Sequence, residues 1–501
     1  MNKSRSCDVL IVGLGPVGAT LAGLLNDAGV DVLAIDKSTE IYPLPRAAHF
    51  DHEIMRVFQQ LGVADEVLRH ARPAAGYEFR SAEGEVLVDF GDMAAKLAPS
   101  GWAGGYMFNQ PGLERALRAK LARSAHARVL LGAAFESMAE TADGVEARIS
   151  GPDGPLAIRA RYLVGCDGAW SPVREAIGGR LDDLQFDEPW LVIDAIPRPG
   201  SNVPTVNLQI CDPARPTTCV LMGPGRHRWE FMMLPGETPE QVLDDAFIAS
   251  LLQSWNVDVE IDRKAVYRFH GLVAETWRAG RVLIAGDAAH QTPPFAGQGM
   301  CAGIRDAANL AWKLAAVLRG DAADVLLDSY QVEREPNVRA YIRVAIEMGR
   351  VVCILDPDVA RARNAQMLAA RHAGAPAIPP AAPPPLTGDC VLEGTPAAGA
   401  IFPQAVAAAG DDLIRLDDVL GAGAWLICAA IPAPKEPGIS AIALSDPRLA
   451  PFRRQVAAWL SARGVAAVLV RPDRYVFGAG DPDRLLRSWA QALRAPAGAP
   501  A

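Results

Sequence analysis

The segment Gly13-Leu14-Gly15-Pro16-Val17-Gly18 constrains the fold more than any other part of the chain. The apolar run over residues 7–13 reads as a buried strand, helical spacing follows over 17–28, and a second apolar run over 32–36 ends in an acid. Strand, glycine-rich turn, helix and strand in so short a span make a β-α-β unit of a parallel sheet. In G-x-G-x-x-G the first glycine permits a tight turn, the second lets backbone approach a pyrophosphate, and the third lets helix pack on strand. The helix start then offers N–H groups and a partial positive charge to that anion. Asp36 stands where an acid accepts hydrogen bonds from ribose hydroxyls and repels a 2′-phosphate. A dinucleotide site follows. The motif alone does not separate a flavin from a nicotinamide dinucleotide.

At 501 residues the chain exceeds one compact core. A helical pattern begins near Asp51, and another follows Pro111, with Leu113, Leu117 and Leu121 on one face. From about Phe186 the texture changes: short alternating segments at 205–211, 218–222 and 229–234 suggest an antiparallel sheet with one wet face. Residues 282–286 return to the buried-strand type, and long helical patterns cover 299–318 and 323–350. The Ala/Pro-rich stretch 371–385 reads as a stiff linker. Beyond it, apolar segments at 424–429, 441–444 and 465–470 alternate with helical ones at 451–460 and 482–493. The expected architecture is α/β. A Rossmann-like domain (1–185 and 271–370) is interrupted by a sheet domain (186–270), then followed by a linker (371–386) and a small α/β domain (387–501).

The net charge of −9, with no basic block, argues against a nucleic-acid partner. The apolar stretches stop well short of the ~20 residues of a membrane span, and residues 1–7 run straight into a strand pattern, leaving no room for a signal peptide. The eight cysteines are scattered, without a C-x-x-C pair or a zinc cluster. Buried free thiols in a reduced, cytoplasmic protein without structural metal are expected.

Two further segments decide the dinucleotide. Gly165-Cys166-Asp167-Gly168-Ala169-Trp170-Ser171-Pro172-Val173-Arg174 follows an apolar strand and ends in a helix start, with Ser171 as cap. Ala285-Gly286-Asp287-Ala288-Ala289-His290-Gln291-Thr292-Pro293-Pro294-Phe295-Ala296-Gly297-Gln298-Gly299-Met300 is again strand, glycine-rich loop and helix. Together with the first loop, and in the same order, these resemble the group A flavin-dependent monooxygenases of the para-hydroxybenzoate hydroxylase type. The resemblance implies bound FAD, held by Gly13, Gly15, Pro16, Gly18, Asp36 and its neighbour Lys37, by Arg46, Gln110 and Asp167, and by Gly286, Asp287, Pro294, Gly297, Gly299 and Met300. A helix beginning at Gly299 would aim its positive end at the flavin edge that becomes anionic on reduction.

Longer strings narrow the likeness. Arg46-Ala47-Ala48-His49-Phe50-Asp51-His52-Glu53, the stretch 209–218, Arg226-His227-Arg228-Trp229-Glu230-Phe231 and the stretch 299–309 look like the 3-(3-hydroxyphenyl)propionate hydroxylase branch. The resemblance implies that NADH or NADPH reduces FAD, O2 is captured as a flavin 4a-hydroperoxide, and oxygen passes to a phenol ortho to its hydroxyl. The alternatives are an antibiotic- or polyketide-tailoring hydroxylase, a geranylgeranyl reductase-like flavoprotein and a flavin-binding docking module. The C-terminal region resembles a thioredoxin-like appendage in which Arg471-Pro472-Asp473-Arg474-Tyr475-Val476 carries Arg474 where the family has glycine. Lacking C-x-x-C, that domain is expected to be structural or to serve oligomerisation, as in a homodimer.

Acid–base candidates are His290, His49 and His52, and Pro294 is placed with them at the reacting centre. For the substrate wall, alternation in the mid-chain segments selects Gln209, Trp229, Phe231 and Met233, with Arg215 as partner for a substrate carboxylate.

Overall fold

The computed structural model describes residues 5–494 apart from 45, 377, 379–383, 411 and 430–437. Strand β1 (Arg5–Val12), helix α1 (Pro16–Asp27) and strand β2 (Val32–Asp36) form the expected unit. β1 lies mid-sheet, parallel to β2 on one side and to Gly154–Gly165 on the other. Ala127–Leu131 and Val282–Ile284 extend the parallel core outward. Both faces are covered, which is why these strands read as continuous apolar runs: Val9, Leu10 and Ile11 are all fully buried. Helix Gly299–Arg319 lies against α1 so closely that a Cβ on Gly303 would stand 2.6 Å from the Val17 side chain.

The second sheet has eight strands, in the order 290–291, 259–274, 181–197, 227–232, 217–221, 207–210, 77–80 and 86–89. Its neighbours are antiparallel except for Asn207–Ile210, which runs parallel to Tyr77–Arg80. Strands from far upstream of the alternating stretch therefore complete it. One face packs on the helices Pro239–Val242 and Asp245–Gln253 through Trp229, Phe231, Val242 and Ile248. The other face looks back at the parallel sheet.

The C-terminal unit is built on a four-stranded sheet in the order 439–443, 424–428, 467–470 and 476–480. Alternation along Ala424–Cys428 sends Trp425 and Ile427 into one core and Ala424, Leu426 and Cys428 into another, and the second core includes Trp312 of the long helix. Under that contact Glu333 accepts from Arg471 at 2.7 Å and pairs with Lys313 at 3.0 Å, every side chain fully buried. Arg474 does hold a left-handed conformation, φ +70°, that glycine would adopt freely. It is fixed there by Asp417 at 2.9 Å, by the carbonyls of Gly421 and Gly423, and by stacking on Trp425 at 3.9 Å. The expected linker begins as helix, since Pro357–His372 runs into it, and its centre (379–383) lies outside the described residues. Among the described residues no helix is long and apolar enough to cross a membrane.

Candidate functional site

Between the parallel sheet and the antiparallel one lies a cavity of about 1860 Å3. Pockets for single drug-sized ligands span roughly 300–1,000 Å3, so this one has room for a large cofactor and a substrate together.

Its first wall is the glycine turn. Gly13 sits at φ +97°, and a Cβ there would come within 2.4 Å of the Cys166 carbonyl oxygen. A Cβ on Gly18 would meet the Gly13 oxygen at 2.0 Å, so α1 can start this close to β1 only with glycine. Gly15 is different: a Cβ there meets nothing closer than Arg46 at 3.9 Å. No side chain caps α1, leaving its N–H groups facing that space. Asp36 pins the turn by accepting from the Leu14 N–H at 2.8 Å and the Ser38 N–H at 2.8 Å.

The second wall is the loop ahead of Gly299. That helix also starts without a side-chain cap, so two helix N-termini converge on one cavity. Asp287 projects into the space, where its side chain is accessible; the surrounding protein pushes its carboxyl up, and His290 and Arg46 pull it back. Gln110 accepts from the Arg46 N–H at 3.1 Å and the Ala47 N–H at 2.8 Å, so it shapes the 46–49 segment that borders the cavity. Asp167 lines the cavity while accepting from the Ser171 hydroxyl at 2.5 Å and the Val173 N–H at 3.0 Å, which fixes the start of Pro172–Ala176.

A family model described as an FAD binding domain matches residues 6–345. The chain belongs to that FAD-binding family. It is 38% identical over 502 residues to a probable NADH-specific resorcinol 4-hydroxylase of Rhodococcus jostii, covering 95% of this chain and 92% of that protein. It is also 38% identical over 458 residues to a 3-(3-hydroxy-phenyl)propionate/3-hydroxycinnamic acid hydroxylase of Mycolicibacterium smegmatis, covering 85% and 78% of the two. Among solved structures, aklavinone-11 hydroxylase with FAD and aklavinone superposes with a TM-score of 0.78 at 27% identity, over 98% of this chain and all of that one. The protein is thus a group A flavin-dependent monooxygenase, an enzyme whose cofactor is FAD. The residues fit that group: an open cradle at Gly15 for the pyrophosphate, two uncapped helix starts, and a cavity long enough to join them.

The expected cofactor residues converge. Gly13, Gly15, Pro16, Asp36, Lys37, Arg46, Gln110, Asp167, Asp287, Pro294, Gly297, Gly299 and Met300 all line the cavity, while Gly18 and Gly286 stand one layer behind it against Gly13 and Val17. His49 lines it as well, its Nδ1 3.4 Å from the Gly297 carbonyl, and burial lowers its affinity for a proton.

Other expectations need correction. His290 is not on the cavity wall. It is fully buried with Nε2 2.6 Å from Asp306, which also receives Arg334 at 2.9 Å, and its ring lies against Trp277. Burial pushes the Asp306 carboxyl up, but His290 and Arg334 outweigh it and hold it below the usual range. His290 is therefore an internal hydrogen-bond partner of Asp306 that braces the loop from behind. His52 heads helix His52–Gln60 outside the cavity lining. Trp229, Phe231 and Met233 point into the core against the two short helices. Arg215 is engaged by Glu237 at 2.9 Å and lies over Phe247, away from the cavity.

Of the expected substrate contacts Gln209 alone lines the cavity, and it does so beside residues that sequence reasoning passed over: Thr218, Arg228 and Glu230. The signal was present, since 228 and 230 alternate with 229 and 231. Alternation predicts one wet face for this sheet; packing makes that polar face a cavity wall.

Proposed function

We propose that the protein hydroxylates a small phenol at the position ortho to its hydroxyl, with NADH as the reductant, the substrate resembling resorcinol or 3-(3-hydroxyphenyl)propionate. The observation that carries this reading is the polar strip of the antiparallel sheet, Gln209, Thr218 and Glu230, lining the same cavity as the loop at Pro294–Gly297. Both 38%-identical relatives bear names of phenol hydroxylases, and one is named NADH-specific.

Bound FAD supplies the reduction and the O2 activation. Gly15 and the start of α1 would receive its pyrophosphate, Asp36 its ribose hydroxyls, and the 294–300 segment its ring. The protein's own part is to orient and to exclude water. Gln209 donates to the Thr217 carbonyl at 3.0 Å and accepts from the Thr218 hydroxyl at 2.7 Å, so the polar strip is held rigid before any ligand arrives. Phe295 of the loop packs edge to face on Phe269 and Trp190, which stack on each other, so that part of the cavity is walled by aromatic rings that exclude water. A larger polycyclic phenol is the second reading, favoured by the cavity volume and the likeness to aklavinone-11 hydroxylase.

The test is turnover of the FAD-loaded protein with NADH, O2 and three phenols: resorcinol, 3-(3-hydroxyphenyl)propionate and a tetracyclic phenol. Product formed in step with NADH on either small phenol supports the first reading. Product on the tetracycle alone supports the second. NADH loss that no phenol accelerates overturns both.

A further inference from the structure

We propose that Glu230 accepts the phenolic proton during hydroxylation, with the Thr218 and Gln209 side chains beside it fixing the hydroxyl. The proposal rests on the reading of the substrate as a phenol.

Glu230 lies on His227–Met232, where Arg228 and Glu230 face the cavity and Trp229 and Phe231 face the core. Its cross-strand partner on one side is Thr218, whose own partner in turn is Gln209; on the other side it is Val192. Directly opposed residues hold their Cβ atoms about 4.5–5.5 Å apart, so the three polar groups form one transverse row on the cavity wall. Within that row Gln209 and Thr218 are bonded to each other. Because Thr218 donates to Gln209, its hydroxyl oxygen keeps lone pairs for an incoming O–H.

Glu230 is only 8% exposed, yet its nearest cation among the described residues, Arg228, stands 3.7 Å away, longer than a hydrogen bond. Arg228 is turned elsewhere: it donates to Asp194 at 2.6 and 3.1 Å and to the Arg46 carbonyl at 2.8 Å. A buried carboxylate is costly unless hydrogen-bonded. A carboxylate that faces a cavity and shares its guanidinium with Asp194, at ion-pair distance but without a hydrogen bond from it, is placed for a donor that comes with the ligand.

Its basicity suits the task. Burial pushes the Glu230 carboxyl above the ordinary glutamate range and Asp194 adds to this, while Arg228 opposes. Charged or titratable groups near the row also include Arg263 and Tyr267 on the 259–274 strand, Arg46, Tyr77 on the 77–80 strand, and Cys219 on the core side of the 217–221 strand; burial pushes Tyr77 and Cys219 up. A carboxylate whose affinity for a proton is raised in this way is a better proton acceptor than an ordinary surface carboxylate.

The step balances without a new reagent, since O2 and NAD(P)H are already co-substrates of the enzyme. As one oxygen of the NAD(P)H-reduced O2 bonds to the ortho carbon, its O–O bond breaks and the second oxygen leaves with that electron pair, to be protonated to water. At the same time the electron pair of the phenolic O–H bond moves into the ring. That bond breaks, and the proton forms an O–H bond with a Glu230 oxygen. When the resulting dienone rearomatises, the ring hydrogen leaves as a proton to solvent and Glu230 returns its own to the carbonyl oxygen.

The test compares wild type with Glu230→Gln and Glu230→Asp, each loaded with FAD. In wild type, kcat rises with pH through one ionisation and then levels; Glu230→Gln lacks that limb and has kcat lower by about 10²–10⁴-fold. A second readout needs no turnover. The Kd of the phenol for the oxidised protein, from the flavin difference spectrum, tightens with pH through the same ionisation in wild type and is flat in Glu230→Gln. An unchanged acid limb and kcat in Glu230→Gln overturns the proposal. Should that variant not fold, Glu230→Asp decides, since a weakened kcat with the limb retained supports the role and a wild-type kcat overturns it. If wild type itself hydroxylates no phenol, the substrate reading fails instead, and the two failures are distinct.

Discussion

The Tyr475 hydroxyl, carried on the C-terminal unit, donates to Glu53 at 3.1 Å, and the same Glu53 oxygen accepts from Arg305 at 2.8 Å. Arg305 also pairs with Asp51 and donates to Gln298 at 3.0 Å, and Gln298 lines the FAD cavity. One guanidinium thus ties the C-terminal unit, the start of helix His52–Gln60 and the flavin loop together. Tyr475→Phe removes one hydrogen bond to a carboxylate that keeps its arginine, so a loss of roughly 1–2 kcal/mol is expected. Arg305→Met leaves Asp51 and Glu53 buried without their cation and is expected to cost about 3–5 kcal/mol. Urea unfolding checks both, read as a fall in midpoint at constant slope.

The two glycines of the α1 turn should respond differently to alanine. Gly15 has φ −71°, which alanine adopts, and open space around its Cβ position. Gly15→Ala is expected to fold with a near-wild-type melting temperature and to bind FAD at least tenfold more weakly, about 1.4 kcal/mol. Gly18→Ala would set a Cβ 2.0 Å from the Gly13 oxygen and is expected to destabilise the fold itself. FAD titration by fluorescence, with circular dichroism of each apoprotein, separates the outcomes.

Trp229 is fully buried against Trp255 and Ile248, on the sheet face away from the cavity. Trp229→Ala is expected to cost about 3–5 kcal/mol of stability while leaving the KM for the phenol within twofold. A many-fold rise in KM with unchanged stability would return this residue to the substrate wall.

Acid should undock the C-terminal unit through Glu333. Burial raises this carboxyl, but Arg471 and then Lys313 overcome it and hold it at about 2, against 4.5 for a free glutamate. At Lys313 burial wins and its affinity for a proton falls, so Arg471 is the partner that keeps its charge throughout. The unfolded state binds the proton first on acidification, so stability from Glu333 is present above about pH 4.5 and fades as pH falls towards 2. Wild type is expected to lose stability across that window, and Glu333→Gln to be less stable at neutral pH with a flatter acid profile, measured by unfolding at stepped pH.

The nucleotide half was legible because its signals are local. A glycine turn, a strand of apolar residues and an acid at the next strand's end dictate one another over about 25 residues, and Gly13, Gly15, Asp36 and the 285–300 loop all stand at the cavity. The Arg474 departure from the family's glycine was visible too, but not its remedy, because Asp417 lies far away in sequence.

Alternation along 227–232 determined that 228 and 230 share one face and 229 and 231 the other. Period-2 patterning cannot say which face meets solvent and which meets a second sheet. The approach of the parallel sheet decided it, turning the charged face into cavity wall and the aromatic face into core, and it left His290, one of the acid–base candidates by sequence, sealed behind the loop with Asp306. The chain by itself determined the cradle for FAD. Only the packing of two distant sheets decided which side chains stand opposite it.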